Sequence, residues 1–278
     1  MCFWREPLGF ASLFSTYRPI PFRGFDPEFG AALDRALGGA GYSVERAWES
    51  ADSHCHVLDV DGKGQVLLKR AVPGKSLGKQ VEILRRIFAP GSALAPLFPA
   101  FYGTVEGYEA ILIEFVPGMT LREALKHGKA NRRLVGPTLG ALRMYHREEG
   151  AAIGDFHGGN VLVDQGRIVL IDPSEPDRHG MGPGEVPLST DLGHWVASGA
   201  ANFMSDCRRA PLLAWRLFWF NRVMFRDGIR GTTVTKAAVM KVAREHLGVL
   251  RTDPFRMSRI SYFPGRVYLE VLGLSVRA

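Results

Sequence analysis

Ile153-Gly154-Asp155-Phe156-His157-Gly158-Gly159-Asn160-Val161-Leu162-Val163 is the stretch on which the reading of this chain turns. It sets a carboxylate, Asp155, five residues ahead of a carboxamide, Asn160, in a glycine-containing loop that runs into an apolar strand. A second apolar run, Ile168–Ile171, ends on Asp172, twelve residues past Asn160, with Pro173 after it. Carboxylate and amide oxygens are the hard donors that magnesium takes. The spacing therefore offers one carboxylate for proton work and two oxygen ligands for a metal.

Outward from this loop the chain changes character. Its 278 residues suit one large domain or two closely joined lobes. Hydrophobic residues at 46% and charged residues at 23% describe a globular chain and exclude disorder. On the N-terminal side, Asp26-Pro27-Glu28 reads as a helix start, with Phe29, Leu33 and Leu37 on one face and Gly38-Gly39 as the stop. Tyr42–Trp48, His54–Asp59 and Gln65–Ala71 read as strands, Leu77–Phe88 as a helix, then Phe101–Val105 and Glu109–Val116 as strands. Past Pro117-Gly118 the pattern is helical. Thr120-Leu121-Arg122-Glu123 matches a capping box, and helices are predicted over 134–148, 189–201, 207–226 and 233–248. Arg266–Val271 reads as strand, and Trp215, Phe218, Trp219 and Phe220 as core. The expected class is α+β in two lobes: an extension over 1–40, a β-rich N-lobe over 41–117 and a mainly helical C-lobe over 118–278.

Phosphoryl transfer from ATP needs few parts: a carboxylate for the attacking hydroxyl, metal ligands against the phosphates, and a cation on the phosphates. Gly154–Val163 resembles the catalytic loop of the protein-kinase-like superfamily, nearest the branch of aminoglycoside phosphotransferases and fructosamine kinases. Ile171-Asp172-Pro173 is similar to the metal-binding motif of sugar-amine and streptomycin kinases, where protein kinases carry Asp-Phe-Gly. The resemblance covers about residues 42–200 and implies the following roles. Asp155 is the catalytic base, and Asn160 and Asp172 hold Mg2+. Lys69, in Val66-Leu67-Leu68-Lys69, grips the phosphates of ATP, with Glu82 as its ion-pair partner. Glu114 and Val116, in Ile113-Glu114-Phe115-Val116-Pro117-Gly118, form the hinge that contacts adenine. Asp191, in Thr190-Asp191-Leu192, braces the loop through backbone bonds. His146 and His157 support it structurally.

The sequence departs from that pattern in three places. Ile153 stands where relatives often have His. The turn over 49–54 has no glycine, so Ser50 and Ser53 either donate to phosphate oxygens or form a plain hairpin turn. The path from Asp172 to Asp191 is short and Gly/Pro-rich, without the Ala-Pro-Glu end of a regulated activation loop.

The implied activity is transfer of the γ-phosphate of ATP to a hydroxyl of a small molecule, sugar-like or another metabolite. A protein Ser/Thr kinase is the alternative, and a pseudokinase acting as a binding module the third reading. A net charge of +7 favours anionic partners, and with them an acidic or phosphate-bearing acceptor or peripheral contact with an anionic membrane surface. A solvated basic surface accounts for the same charge. Nucleic acid is not expected as a partner. Three widely spaced cysteines give no disulfide framework and point to a reducing, cytoplasmic compartment. Leu8–Phe14 reads as packing and not as a signal peptide. Ala210–Phe225 is too short and polar to span a bilayer.

Overall fold

Asp26 opens the first helix as its sequence predicts. Its carboxylate accepts a hydrogen bond from the N–H of Phe29 at 2.8 Å, Pro27 takes the first helical position, and α1 runs Pro27–Ala36. Gly38 and Gly39 follow at φ 74°, the left-handed conformation that ends a helix without steric cost in glycine. These features come from a computed structural model, which describes residues 18–50, 52–174, 187–209, 211–252 and 259–276. Leu8–Phe14 and most of the Gly/Pro-rich path to Asp191 lie outside the described residues.

The chain divides into two compact units between Met119 and Thr120. The first is built on an antiparallel sheet of β1 (Arg18–Pro19), β2 (Tyr42–Glu49), β3 (Ser53–Val60), β4 (Gly64–Ala71), β5 (Phe101–Thr104) and β6 (Ala110–Glu114), in the order β1-β2-β3-β4-β6-β5. Period-two alternation gives the sheet two faces. On one face Leu58, Val60, Val66, Leu68 and Leu112 meet Phe29, Leu33 and Leu37, so α1 belongs to this unit's core. Phe29 and Leu33 are wholly buried, which stabilises the unit by about 1.5–3 kcal/mol each. On the other face Ile111 and Ile113 pack with Leu77 and Leu84 around α2 (Gly78–Ile87).

β7 (Met119–Thr120) carries the chain into the second unit, which is mostly helical: α3 (Leu121–Lys126), α4 (Val135–Glu149), the hairpin of β8 (Val161–Asp164) and β9 (Arg167–Leu170), then α5 (Pro187–Arg209), α6 (Pro211–Ile229), α7 (Lys236–Thr252) and α8 (Arg259–Ser275). Thr120 caps α3 by accepting from the N–H of Glu123 at 3.2 Å. The Glu123 carboxylate holds Lys126 at 2.9 Å. α5 is the central element and packs on α6, α7 and α8. The class is thus α+β, sheet first and helices after.

Two expectations are corrected. Arg266–Val271 is helix, not strand. Gly265, Tyr268, Leu269, Leu272 and Val276 are buried at helical spacing, and that period overrides the β-branched composition. In α6, Phe220 is core, but Trp215 is 60% and Trp219 41% exposed. The buried stripe of that helix is Ala214, Phe220, Met224 and Phe225, and the two tryptophans stand off it. Among the described residues no helix is long and apolar enough to cross a membrane.

Candidate functional site

The loop 153–160 is held between α4 and the β8–β9 hairpin, and its geometry starts from α4. Gly150, at φ 65°, closes that helix, its N–H donating to the carbonyl of His146 at 3.0 Å. The chain then turns under α5. Asp191, in the first turns of α5, is fully buried, and its carboxylate accepts three hydrogen bonds. Ile153 N–H donates to Oδ2 at 2.8 Å and Gly154 N–H to Oδ1 at 3.2 Å, while His146 Nε2 lies 2.6 Å from Oδ2. Both of the roles expected for Asp191 and His146 are met. A charged acceptor satisfied by backbone amides is a strong and directional tie.

Gly154 is required here. It sits at φ 97°, and a Cβ would collide with the carbonyl of Ser174, whose N–H donates to the carbonyl of Ile153 at 2.9 Å. The loop is therefore pinned on one side by Asp191 and on the other by the segment after Asp172.

Within the loop, Asn160 Nδ2 donates to the Asp155 carbonyl at 2.9 Å and lies 3.5 Å from its Oδ2. The amide nitrogen is thus committed to the loop, and the carbonyl oxygen is the end of Asn160 that remains for a ligand. His157 accepts from Gly159 N–H through Nδ1 at 2.9 Å, with Nε2 3.6 Å from Asp155 Oδ2. This is the supporting role expected of it. Asp155 keeps its side chain 19% exposed.

Asp172 is placed by the hairpin. Val161 pairs with Leu170, and Ile171 N–H donates to the Asn160 carbonyl at 3.0 Å, so Asp172 follows one residue beyond the Asn160–Ile171 pair. Twelve residues of sequence separation thereby close to neighbouring positions on one hairpin. Asp172 also adopts φ 53°, a left-handed conformation uncommon outside glycine. Backbone strain of this kind costs on the order of 1–3 kcal/mol and clusters at ligand sites. Among the described residues no group of three or more His, Cys, Asp and Glu side chains converges as a metal site. A cation at the loop would rely on Asp172, the Asn160 carbonyl and oxygens brought by a ligand or water, which is how magnesium is ordinarily bound.

Sequence reasoning missed His194. It lies one turn after Asp191 on α5, is buried, and donates from Nδ1 to the carbonyl of Gly154, while its ring stacks on His246 of α7 at 4.2 Å. Burial lowers its pKa, against the opposing pull of Asp191, Asp155 and the Gly154 bond, with His157 adding to the lowering. The signal in the sequence was the i, i+3 spacing from Asp191, which puts both residues on one face of α5. A narrow cavity also opens beside Gly158, lined by Arg122, Trp195, Ser198, Asn202 and Tyr268. Trp195 Nε1 donates to Asn221 Oδ1 at 2.8 Å, and Asn221 Nδ2 reaches the Tyr268 hydroxyl at 2.7 Å, so these three wall residues hydrogen-bond to one another. At about 40 Å³ it takes a few waters, less than a sugar ring.

The first unit holds the remaining candidates. Lys69 pairs across strands with Ile111 on the face of the sheet that carries α2, and is 8% exposed. Glu82 is not where the expected ion pair needs it. The buried face of α2 is Gln80, Ile83, Leu84 and Ile87, whereas the Glu82 side chain is 60% exposed and 4.0 Å from Lys79. Ser50 and Ser53 bond to each other across the turn between β2 and β3. Their hydroxyls are 2.8 Å apart, Ser50 Oγ donates to the Ser53 carbonyl at 3.0 Å, and Ser53 is 1% exposed with Cys55 Sγ 3.7 Å from its Oγ. Glu114 ends β6 with its carboxylate on the N–H of Ala100 at 3.0 Å. Val116 is buried just beyond.

Comparison of the sequence with models of known protein families finds no match, and no curated protein matches it either.

Proposed function

We propose that the chain is a two-lobed, protein-kinase-like phosphotransferase that moves the γ-phosphate of ATP onto a hydroxyl of a small molecule. The observation that carries the reading is the bracing of the Asp155 loop. One buried carboxylate, Asp191, fixes two consecutive loop amides, and Asn160 is tied back to Asp155 across the same turn. Preorganisation of this kind is what in-line phosphoryl transfer asks of a protein, because the chemistry depends on positioning and charge more than on covalent steps.

Asp155 orients the acceptor hydroxyl and takes its proton. His157 Nε2 and the Asn160 amide lie beside the Asp155 carboxylate, at 3.6 and 3.5 Å from Oδ2. Asp172 and the Asn160 carbonyl are the residues that would hold Mg2+, whose charge, when bound, offsets that developing on the phosphates. Lys69 in the first unit is assigned the phosphate grip, and the strand end at Glu114 and Val116 the adenine contact. Glu82, Ser50 and Ser53 are left out of the scheme, since their side chains are directed elsewhere.

The test is a pair of variants assayed with labelled ATP and a whole cell extract, fractionated by size into proteins and small metabolites. Asp172→Ala is expected to weaken MgATP binding and turnover together, and Asp155→Ala to abolish turnover with nucleotide affinity kept. Near-normal turnover in Asp155→Ala sinks the assignment of the loop. Label recovered on one discrete protein and absent from metabolites moves the acceptor to protein.

A further inference from the structure

We infer that the groove between α4 and α6 in the second unit binds a small organic anion, with its phosphate or carboxylate end between Arg132, Arg143 and Arg226 and its apolar part on Val223 and the edges of Val135 and Leu139. The groove has a volume of about 310 Å³, at the lower end of the range for small-ligand sites. Its position on α4 is toward the start of the helix, whereas the Asp155 loop follows the helix's end, so it is separate from the site proposed above.

The charge of the lining decides the sign of the ligand. Three guanidinium groups face one carboxylate, Asp227, a net of two positive charges (3 − 1). That carboxylate is already engaged, with Oδ1 accepting from Arg226 Nε at 2.7 Å. The bond anchors one edge of Arg226 and leaves its two terminal nitrogens to the groove. Arg143 is anchored in the same fashion: Nη2 donates to the carbonyls of Asp227 and Gly228 at 3.0 and 3.3 Å, at the end of α6. Arg132 joins them from the turn before α4, and its guanidinium makes no hydrogen bond or ion pair among the described residues. Two forks are held in place before any ligand arrives, and a third is uncommitted. Planar forks match the oxygen spacing of carboxylate and phosphate, which a neutral ligand cannot use. Val223, partly exposed, together with the edges of the buried Val135 and Leu139, supplies a small apolar floor. The ligand is thus an anion with a hydrocarbon or ring body, not a bare ion.

The experiment is calorimetric titration of the full chain, without magnesium and with chelator, so that a nucleotide site cannot take the probe through a metal. The probes are phenyl phosphate, benzoate and benzyl alcohol, which share a ring and differ in the head. At least one anion is expected to bind, the alcohol not, and affinity should fall as salt rises. Comparison of the two anions distinguishes a phosphate source from a carboxylate one. Arg132→Gln with Arg226→Gln should weaken the bound anion by about tenfold or more. Should the double variant lose its unfolding midpoint, Arg132→Gln alone carries the comparison, because that side chain anchors nothing. Absence of anion binding up to about 10 mM, equal binding of the alcohol, or unchanged affinity in the variants overturns the proposal. None of these outcomes bears on Asp155 or Asp172, so the proposal stands or falls apart from the phosphotransfer reading.

Discussion

Replacing Asp191 by alanine removes the acceptor that fixes the Asp155 loop. The carboxylate is wholly buried and accepts from Ile153 N–H, Gly154 N–H and His146. Hydrogen bonds to a charged group contribute about 1.5–3 kcal/mol each, so three give a gross loss of roughly 4–9 kcal/mol. Part is returned because a charge no longer has to be buried, and breaking one partner of a buried charged network costs about 3–5 kcal/mol in net terms. Asp191→Asn keeps one acceptor oxygen but sets an amide N–H2 against a backbone N–H, and should fall between alanine and wild type. Urea unfolding followed by circular dichroism measures the loss, read from the midpoint at unchanged slope. In a cycle with His146→Ala the two changes should couple, because they remove one shared bond. A loss under about 1 kcal/mol for Asp191→Ala, or strict additivity with His146→Ala, would refute the claim that this carboxylate holds the loop.

Gly154→Ala should destabilise the chain by more than about 2 kcal/mol, because it combines a φ of 97° with a collision at the Ser174 carbonyl, and Gly166→Ala, equally left-handed but with open space around it, should cost less. Urea midpoints of the two variants, measured side by side, check the order. His56 sets a pH dependence in the first unit. Burial foremost, with His54 and Arg70 nearby, lowers its pKa from 6.5 to about 4, and its ring lies against Phe22 and Phe25. The unfolded chain then binds more protons between about pH 6.5 and 4, so this contribution is whole above 6.5 and is lost as pH falls toward 4, about 2–3 kcal/mol in all. His56→Phe, which keeps the ring contacts, should flatten the fall of the urea midpoint across that window. An unchanged slope counts against the assignment.

The sequence by itself determined the parts whose causes are local. Asp26-Pro27 starts α1 because a cap acts within one helical turn, and Thr120 starts α3 for the same reason. The meander β2–β4 follows from alternation and short turns, and Asp155, Asn160 and Asp172 come together because a hairpin register is fixed once two apolar runs pair. The brace by Asp191 was expected from the resemblance drawn for Thr190-Asp191-Leu192, and no local pattern encodes it. Tertiary structure alone decided which way the ambiguous side chains point. Glu82 and Gln80 share one helix, and only packing of α2 on the sheet selects Gln80 for the buried face. Ser50 and Ser53 have hydroxyls that suit a phosphate or each other, and the tight turn brings them within 2.8 Å. Trp215 and Trp219 have core-like spacing, yet the neighbours of α6 cover a different stripe. His194 meets His246 because α5 and α7 pack together, a contact that no local pattern encodes. Periodicity tells that a helix has faces. The rotation that assigns one face to the core comes from the surface it meets, because apolar burial is summed over the whole contact and not over the segment.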